Sequence, residues 1–161
     1  SQLQAELQKI GYSYEVRNAG ISGDTTAWLL SRLDWTLEWE APALVILCIG
    51  ANDAFQWKNP DDIEANLRQI IERIQAKNIP IIFWGMKAPL NLGGEYGRKY
   101  EAIFPKLASE YNLIFMDFFL DGVALKADLN LDDRIHPNKA GYAIMVKNIA
   151  EIIDDEKNKK K

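Results

Sequence analysis

Leu44-Val45-Ile46-Leu47-Cys48-Ile49 runs without a polar side chain and is bounded by Pro42 on one side and Gly50 on the other. A run this short reads as a strand rather than a helix, and an unbroken apolar run, unlike an alternating one, reads as a strand covered on both faces. A second such run spans Ile79 to Trp84, and shorter candidates are Tyr14 to Arg17 and Leu113 to Met116. Between them lie helical patterns. Leu3, Leu7 and Ile10 recur at helical spacing before Gly11. Residues 24–39 follow, and Pro60 then opens a helix with Ile63, Leu67, Ile70, Ile71 and Ile74 on one face. Residues 95–111 and 137–153 complete the series. Strands alternating with helices predict an α/β fold with a parallel sheet, and such sheets bind ligands beyond the carboxyl ends of their strands.

At 161 residues the chain fits one domain, which we place at residues 1–154, followed by a lysine-rich solvated tail at 155–161. No apolar run approaches the roughly 18 residues of a membrane span. The net charge of −4 and the scattering of basic residues outside that tail argue against nucleic acid as a partner. Cys48 has no second cysteine to pair with, and within its apolar run it reads as a small hydrophobe. The N-terminus shows no signal peptide, which a mature secreted protein would also lack. Composition thus leaves the compartment open.

The polar punctuation falls just after the predicted strands, where a site on such a sheet belongs. Asn18-Ala19-Gly20-Ile21-Ser22-Gly23-Asp24 follows one strand and Gly50-Ala51-Asn52-Asp53 the next. Asp24 is placed to cap the following helix, and Asn52 is either a turn former or an amide aimed at a substrate oxygen. Asp133-Arg134-Ile135-His136-Pro137-Asn138 contains the only histidine. An imidazole three residues after a carboxylate can serve as a general base, the carboxylate fixing its tautomer. The same segment also reads as a helix start, with Pro137 at the first helical position.

Together, in this order, these segments resemble the SGNH, or GDSL, family of serine esterases, in its thioesterase, lysophospholipase and arylesterase branch. The blocks that carry the resemblance are Asn18 to Thr25, Gly50 to Asp53 and Asp133 to Asn138, with Tyr96 to Tyr100 and Phe118 to Val123 also similar. The resemblance runs from about Leu3 to about Ile153. It implies a three-layer flavodoxin-like fold and hydrolysis of small acyl esters, thioesters or lysophospholipids without a cofactor. His136 would then be the catalytic base, Asp133 its orienter, and Gly23 N–H and the Asn52 side chain oxyanion-hole donors. It also favours a periplasmic or secreted protein.

One block is missing. The family's Gly-Asp-Ser-Leu, which ends its first strand and carries the nucleophile, has no counterpart here. The serines are Ser1, Ser13, Ser22, Ser31 and Ser109, and none follows Gly-Asp. In the family that strand is central, so its absence leaves interior strand edges unpaired. Buried unpaired backbone groups cost about 1–3 kcal/mol each. We therefore expect the nucleophile, with its strand, to lie on an N-terminal segment outside these residues. Alternatively, Ser1-x-x-Gln4 is a capping box that starts the chain deliberately, the gap is filled by strand exchange with a second copy, and the chain is a non-hydrolytic fragment that acts as a binding or assembly module.

Further residues could shape a substrate pocket. Trp28, Trp35 and Trp39 form one stripe of a helix whose leucines form another, so the indoles pack under neighbouring loops, form a self-association face or, for Trp28, make a shelf for an acyl chain. Phe55 and Trp57 follow Asn52 and are either pocket walls or loop anchors. Pro89 lies in a Pro- and Gly-containing loop shaped to cover a site. The acidic late loops lack the accompanying ligands of a metal centre, so no metal is expected.

Overall fold

The continuous apolar runs do form parallel strands. The computed structural model describes residues 1–88, 92–134 and 136–159. Its elements are α1 (Gln2–Lys9), α2 (Thr26–Glu40), β1 (Val45–Leu47), α3 (Ala51–Phe55), α4 (Pro60–Ala76), β2 (Ile81–Trp84), α5 (Gly94–Glu110), β3 (Ile114–Met116) and α6 (Lys139–Asn158). They fall into two compact units, Ala19–Phe119 and the pairing of Ser1–Asn18 with Leu120–Lys161.

The larger unit carries the sheet, ordered β1-β2-β3 and parallel throughout. Val45 lies opposite Ile81 and Leu47 opposite Phe83, and Phe83 in turn lies opposite Phe115. β2 starts at Ile81 rather than Ile79 because Pro80 has no N–H to give to a ladder; its carbonyl accepts from Val45 N–H at 3.0 Å. Beyond β2, Gly85 N–H donates to Met116 O at 2.7 Å and Gly85 O accepts from Phe119 N–H at 3.2 Å. A Cβ on Gly85 would sit 2.1 Å from Asp117 O, so the backbones approach more closely than any side chain permits.

α4 follows its sequence signals closely. Asn59 caps it by accepting from Asp61 N–H, Pro60 opens it, Asp61 and Asp62 sit in its first turn and Arg73 in its last, each favourable toward the helix dipole. Ile63, Leu67, Ile70, Ile71 and Ile74 are all fully buried, each worth roughly 1.5–3 kcal/mol by burial. They join Leu33 and Leu37 of α2, Phe83 of β2 and Tyr100, Phe104 and Leu107 of α5 in one core.

Among the described residues β1 lies at the edge of the sheet, paired with β2 alone. Cys48, read from sequence as a small hydrophobe within its apolar run, is exposed. Strand alternation turns it away from the face on which Leu47 and Ile49 enter the core.

In the smaller unit α1 packs against α6. Ser1 Oγ caps α1, accepting from Gln4 N–H at 3.1 Å. The Gln4 side chain does not return to Ser1 as a capping box requires. Instead its Nε2 donates to Tyr14 O, and its Oε1 accepts from Val16 N–H at 2.6 Å. That explains why residues 14–17, expected as a strand, are irregular: a side-chain amide occupies the backbone groups that a neighbouring strand would take. Tyr12 stacks on Tyr14 and donates its hydroxyl to Asp154 on α6 at 2.7 Å. α6 itself starts at Lys139, with Asn138 as cap, and continues to Asn158. Pro137 therefore precedes the helix and forms an antiparallel bridge with Asn130.

Candidate active site

In the smaller unit the loop before α6 delivers the histidine. Buried Asn130 stitches this loop, donating from Nδ2 to Val123 O at 2.8 Å and Lys126 O at 2.7 Å. Asn138 ties down the far end: its N–H donates to Leu129 O at 2.9 Å and its Nδ2 to Asp128 O at 2.8 Å, while Oδ1 accepts from Ala140 and Gly141 N–H. Leu131 N–H donates to His136 O at 2.8 Å, and Arg134 adopts a left-handed conformation at φ 57°. The resulting turn folds Asp133 back on His136.

Asp133 braces the histidine twice. Its Oδ2 lies 2.7 Å from His136 Nδ1, and its Oδ1 accepts from His136 N–H at 2.9 Å. A carboxylate can only accept, so Nδ1 carries the proton and Nε2 is left as the basic nitrogen. The His136 side chain is 69% exposed, which leaves that nitrogen open to a reactant.

In the larger unit the segment around Gly23 and Asp24 meets the Gly50 to Asp53 segment. Ile21 to Asp24 forms a turn closed by Asp24 N–H to Ile21 O at 3.2 Å, with Gly23 at φ 84°, a conformation suited to glycine. Asn52, in the first turn of α3, donates from Nδ2 to Asp24 O at 2.9 Å. The amide carries two hydrogens, and this bond uses one. Gly50 starts α3 at φ 119°, and a Cβ there would come within 3.2 Å of the Phe104 ring; both the dihedral and the close approach require glycine.

Asp24 does not cap α2 as its position suggested. Thr25 does, and the Asp24 carboxylate instead binds Arg32, at 3.0 Å from Nε and 2.5 Å from Nη2. The residue that sequence reasoning missed is Asp53. Almost fully buried, it accepts from Thr26 N–H at 2.9 Å and Thr26 Oγ1 at 2.7 Å, and Asn66 Nδ2 donates to the same Thr26 oxygen at 3.1 Å. A carboxylate on the first turn of α2 meets the positive end of its dipole, and it pins the Asn52 turn to the turn containing Gly23. The signal available was the carboxylate next to Asn52 together with a second threonine at the helix start.

The remaining candidates are dispersed. Phe55 and Trp57 are exposed. Trp57, at φ 53°, packs its ring 5.3 Å from that of Tyr96, whose hydroxyl donates to Lys58 O. Trp28 lines an open cleft of ≈ 420 Å³ with Thr25, Asp53, Gln56, Lys58 and Asn66; neither Gly23 nor Asn52 lines it. Pro89 lies outside the described residues. Among the described residues no group of three or more His, Cys, Asp or Glu is arranged to hold a metal, and no helix is long and apolar enough to cross a membrane.

The sequence blocks that carry the resemblance thus fold into an Asp–His turn in one unit and a Gly-Asp turn joined to a Gly-x-Asn-Asp turn in the other. The chain belongs to the GDSL-like lipase/acylhydrolase family, whose model matches residues 1–144. It is 38% identical over 124 residues to thioesterase 1/protease 1/lysophospholipase L1 of Escherichia coli, an alignment covering 77% of this chain and 60% of that protein. It is 33% identical over 147 residues to esterase TesA of Pseudomonas aeruginosa, covering 91% of this chain and 73% of that one. Among solved structures it is similar to the psychrotrophic esterase EstA from Pseudoalteromonas sp. inhibited by monoethylphosphonate, with TM-score 0.90, 29% identity, and coverage of 97% of this chain and 85% of that one.

Proposed function

We propose that these residues form the body of a serine esterase that hydrolyses small acyl esters, thioesters or lysophospholipids. The observation that carries this reading is the double brace of Asp133 on His136, which presents Nε2 as a base. His136 Nε2 takes the proton of a serine hydroxyl as its oxygen attacks the acyl carbonyl. Gly23 N–H and the second Asn52 amide hydrogen stabilise the oxyanion, and His136 returns the proton to the leaving alcohol or thiol. Water then releases the acyl group by the same route, and no cofactor is called for. Phe55, Trp57, Trp28 and Pro89 are the proposed substrate-contacting side chains. Family resemblance supports a periplasmic or secreted location.

The serine itself is proposed to lie on a strand outside these 161 residues. The open edge of β1 and the absence of Gly-Asp-Ser support this. The same two observations favour a second reading, a non-hydrolytic module that binds an added strand from a partner or a second copy. A panel of p-nitrophenyl esters of increasing acyl length and an acyl thioester separates the two. In the protein that carries the serine-bearing strand, the esterase reading expects turnover that falls by about 1000-fold or more in His136→Ala and less steeply in Asp133→Asn; turnover unaffected by His136→Ala would overturn it.

A further inference from the structure

The reaction proposed above divides the substrate between two sets of residues. Gly23 and Asn52 serve the acyl carbonyl, whereas His136 Nε2 must come within about 2.6–3.2 Å of the leaving oxygen or sulfur to return its proton. A side chain standing beside His136 on the same face therefore meets the leaving group rather than the acyl chain.

Leu131 stands in that place. Asn130 and Pro137 pair antiparallel, and on either side of them Leu131 N–H donates to His136 O at 2.8 Å and Asn138 N–H to Leu129 O at 2.9 Å. Leu131 thus lies opposite His136, one step along a ladder whose successive pairs face opposite ways. Asn130 and Pro137 are the buried pair, Leu131 and His136 the exposed one, with Leu131 53% exposed. Side chains opposed in this way have Cβ atoms about 4.5–5.5 Å apart, which sets the isopropyl group alongside the imidazole. Leu131 serves the loop through its backbone instead, donating its N–H to His136 and accepting from Arg134 N–H at 2.8 Å, so the side chain is left for another use. We propose that Leu131 is the leaving-group wall of the site. Resting on the esterase reading, this assigns the substrates as esters of apolar, uncharged alcohols, aryl or alkyl, in preference to those with a phosphate-bearing leaving group such as the glycerol phosphate of a lysophospholipid.

Charge agrees with that class. Residues 121–139 carry Asp121, Asp128, Asp132 and Asp133 against Lys126, Arg134 and Lys139, and Lys126 Nζ is already engaged with Gly122 O at 2.7 Å. The loop has no excess of cations with which to hold a phosphate. A hydrocarbon leaving group instead covers the exposed leucine, and each methylene buried there is worth about fourfold in kcat/KM.

The test uses the protein that carries the serine-bearing strand and three octanoyl esters, of hexanol, phenol and glycerol 3-phosphate. All three form the same acyl-enzyme, so a variant that merely disturbs the fold or the His136 geometry lowers kcat/KM for each alike. The expected result is a parent that favours the hexyl and phenyl esters over the glycerol phosphate ester. Leu131→Ser should lower kcat/KM for those two by about 5- to 10-fold and leave the third within about twofold, and Leu131→Met should restore the parent pattern. Circular dichroism checks folding. Equal losses on all three esters, an unchanged hexyl ester rate in Leu131→Ser, or a parent that favours the glycerol phosphate ester overturns the proposal while leaving the esterase reading intact. A parent that turns over none of the three overturns the esterase reading itself, and the proposal with it.

Discussion

Gly141, in the first turn of α6, should be among the least replaceable residues of the smaller unit. A Cβ there would lie 2.2 Å from Leu129 O, 2.9 Å from Val123 Cγ1 and 3.0 Å from Pro137 Cβ. Two of these neighbours belong to the loop that carries Asp133 and His136, and Leu129 O is the acceptor of the Asn138 N–H bond. Gly141→Ala therefore has to push the loop off the helix by about 1 Å to restore van der Waals contact. Overpacking costs about 1–3 kcal/mol and loss of the Asn138 bond about 0.5–1.5 kcal/mol, for a total of about 1.5–4.5 kcal/mol. In urea denaturation, with a slope of about 1–3 kcal/mol per molar, the midpoint should fall by roughly 1–2 M. Gly11→Ala is the control: its φ of 91° imposes backbone strain, but nothing lies within 4 Å of the added carbon. A Gly141→Ala midpoint within about 0.3 M of the parent, or a smaller loss than in Gly11→Ala, would refute the close-packing argument.

Other substitutions probe the buried polar groups. In Asp53→Asn the new amide can accept from Thr26 N–H and donate to Thr26 Oγ1, but the threonine hydrogen then loses its acceptor, so stability should drop by about 1–2 kcal/mol in the same titration; no change would remove Asp53 as the tie between the two turns. The Tyr100 hydroxyl is buried with no partner among the described residues, and burial, then Asp53, raises its pKa. Tyr100→Phe should be neutral or stabilising by about 1 kcal/mol, and a loss above about 1 kcal/mol would show a partner the geometry does not reveal. The hydrogen bond to Asp154, followed by burial, raises Tyr12 to about 12. Because the folded state holds the proton more tightly, the contribution of this pair is complete below the ordinary tyrosine value of 10.0, and is lost as pH rises through about 12. Thermal melts between pH 9 and 12 should show a steeper alkaline decline in the parent than in Tyr12→Phe; parallel curves would contradict this linkage.

Where local chemistry decides the outcome, the residues were legible from the sequence. The apolar stripe of α4 and its Asn59-Pro60 start fold as read, because a periodic face and a cap act within a few residues of one another. The parallel strands were legible for the same reason, although Pro80 shortens one. Tyr14 to Arg17 read as a strand from composition, yet strand formation needs a partner, and the Gln4 amide got there first. Asp53 escaped notice because its partner Thr26 comes from a distant part of the chain, and nothing periodic marks a single buried carboxylate. Asp133 and His136 were visible as a pair three residues apart, but the turn at Arg134 that folds one onto the other is a matter of backbone conformation. The exposed tryptophans defied the reading that they pack under loops, because α2 needs only its leucines to join the core.

The most direct test of the account is the intact mass of the protein isolated from its own source, taken before and after a serine-directed phosphonate, with the modified residue located by fragmentation. The account predicts one adduct, on a serine outside the 161 residues and following Gly-Asp, forming about 1000-fold or more slowly in His136→Ala. An adduct on Ser22 or another of the five serines in this chain would contradict the placement of the nucleophile. The absence of any adduct would contradict serine hydrolysis itself.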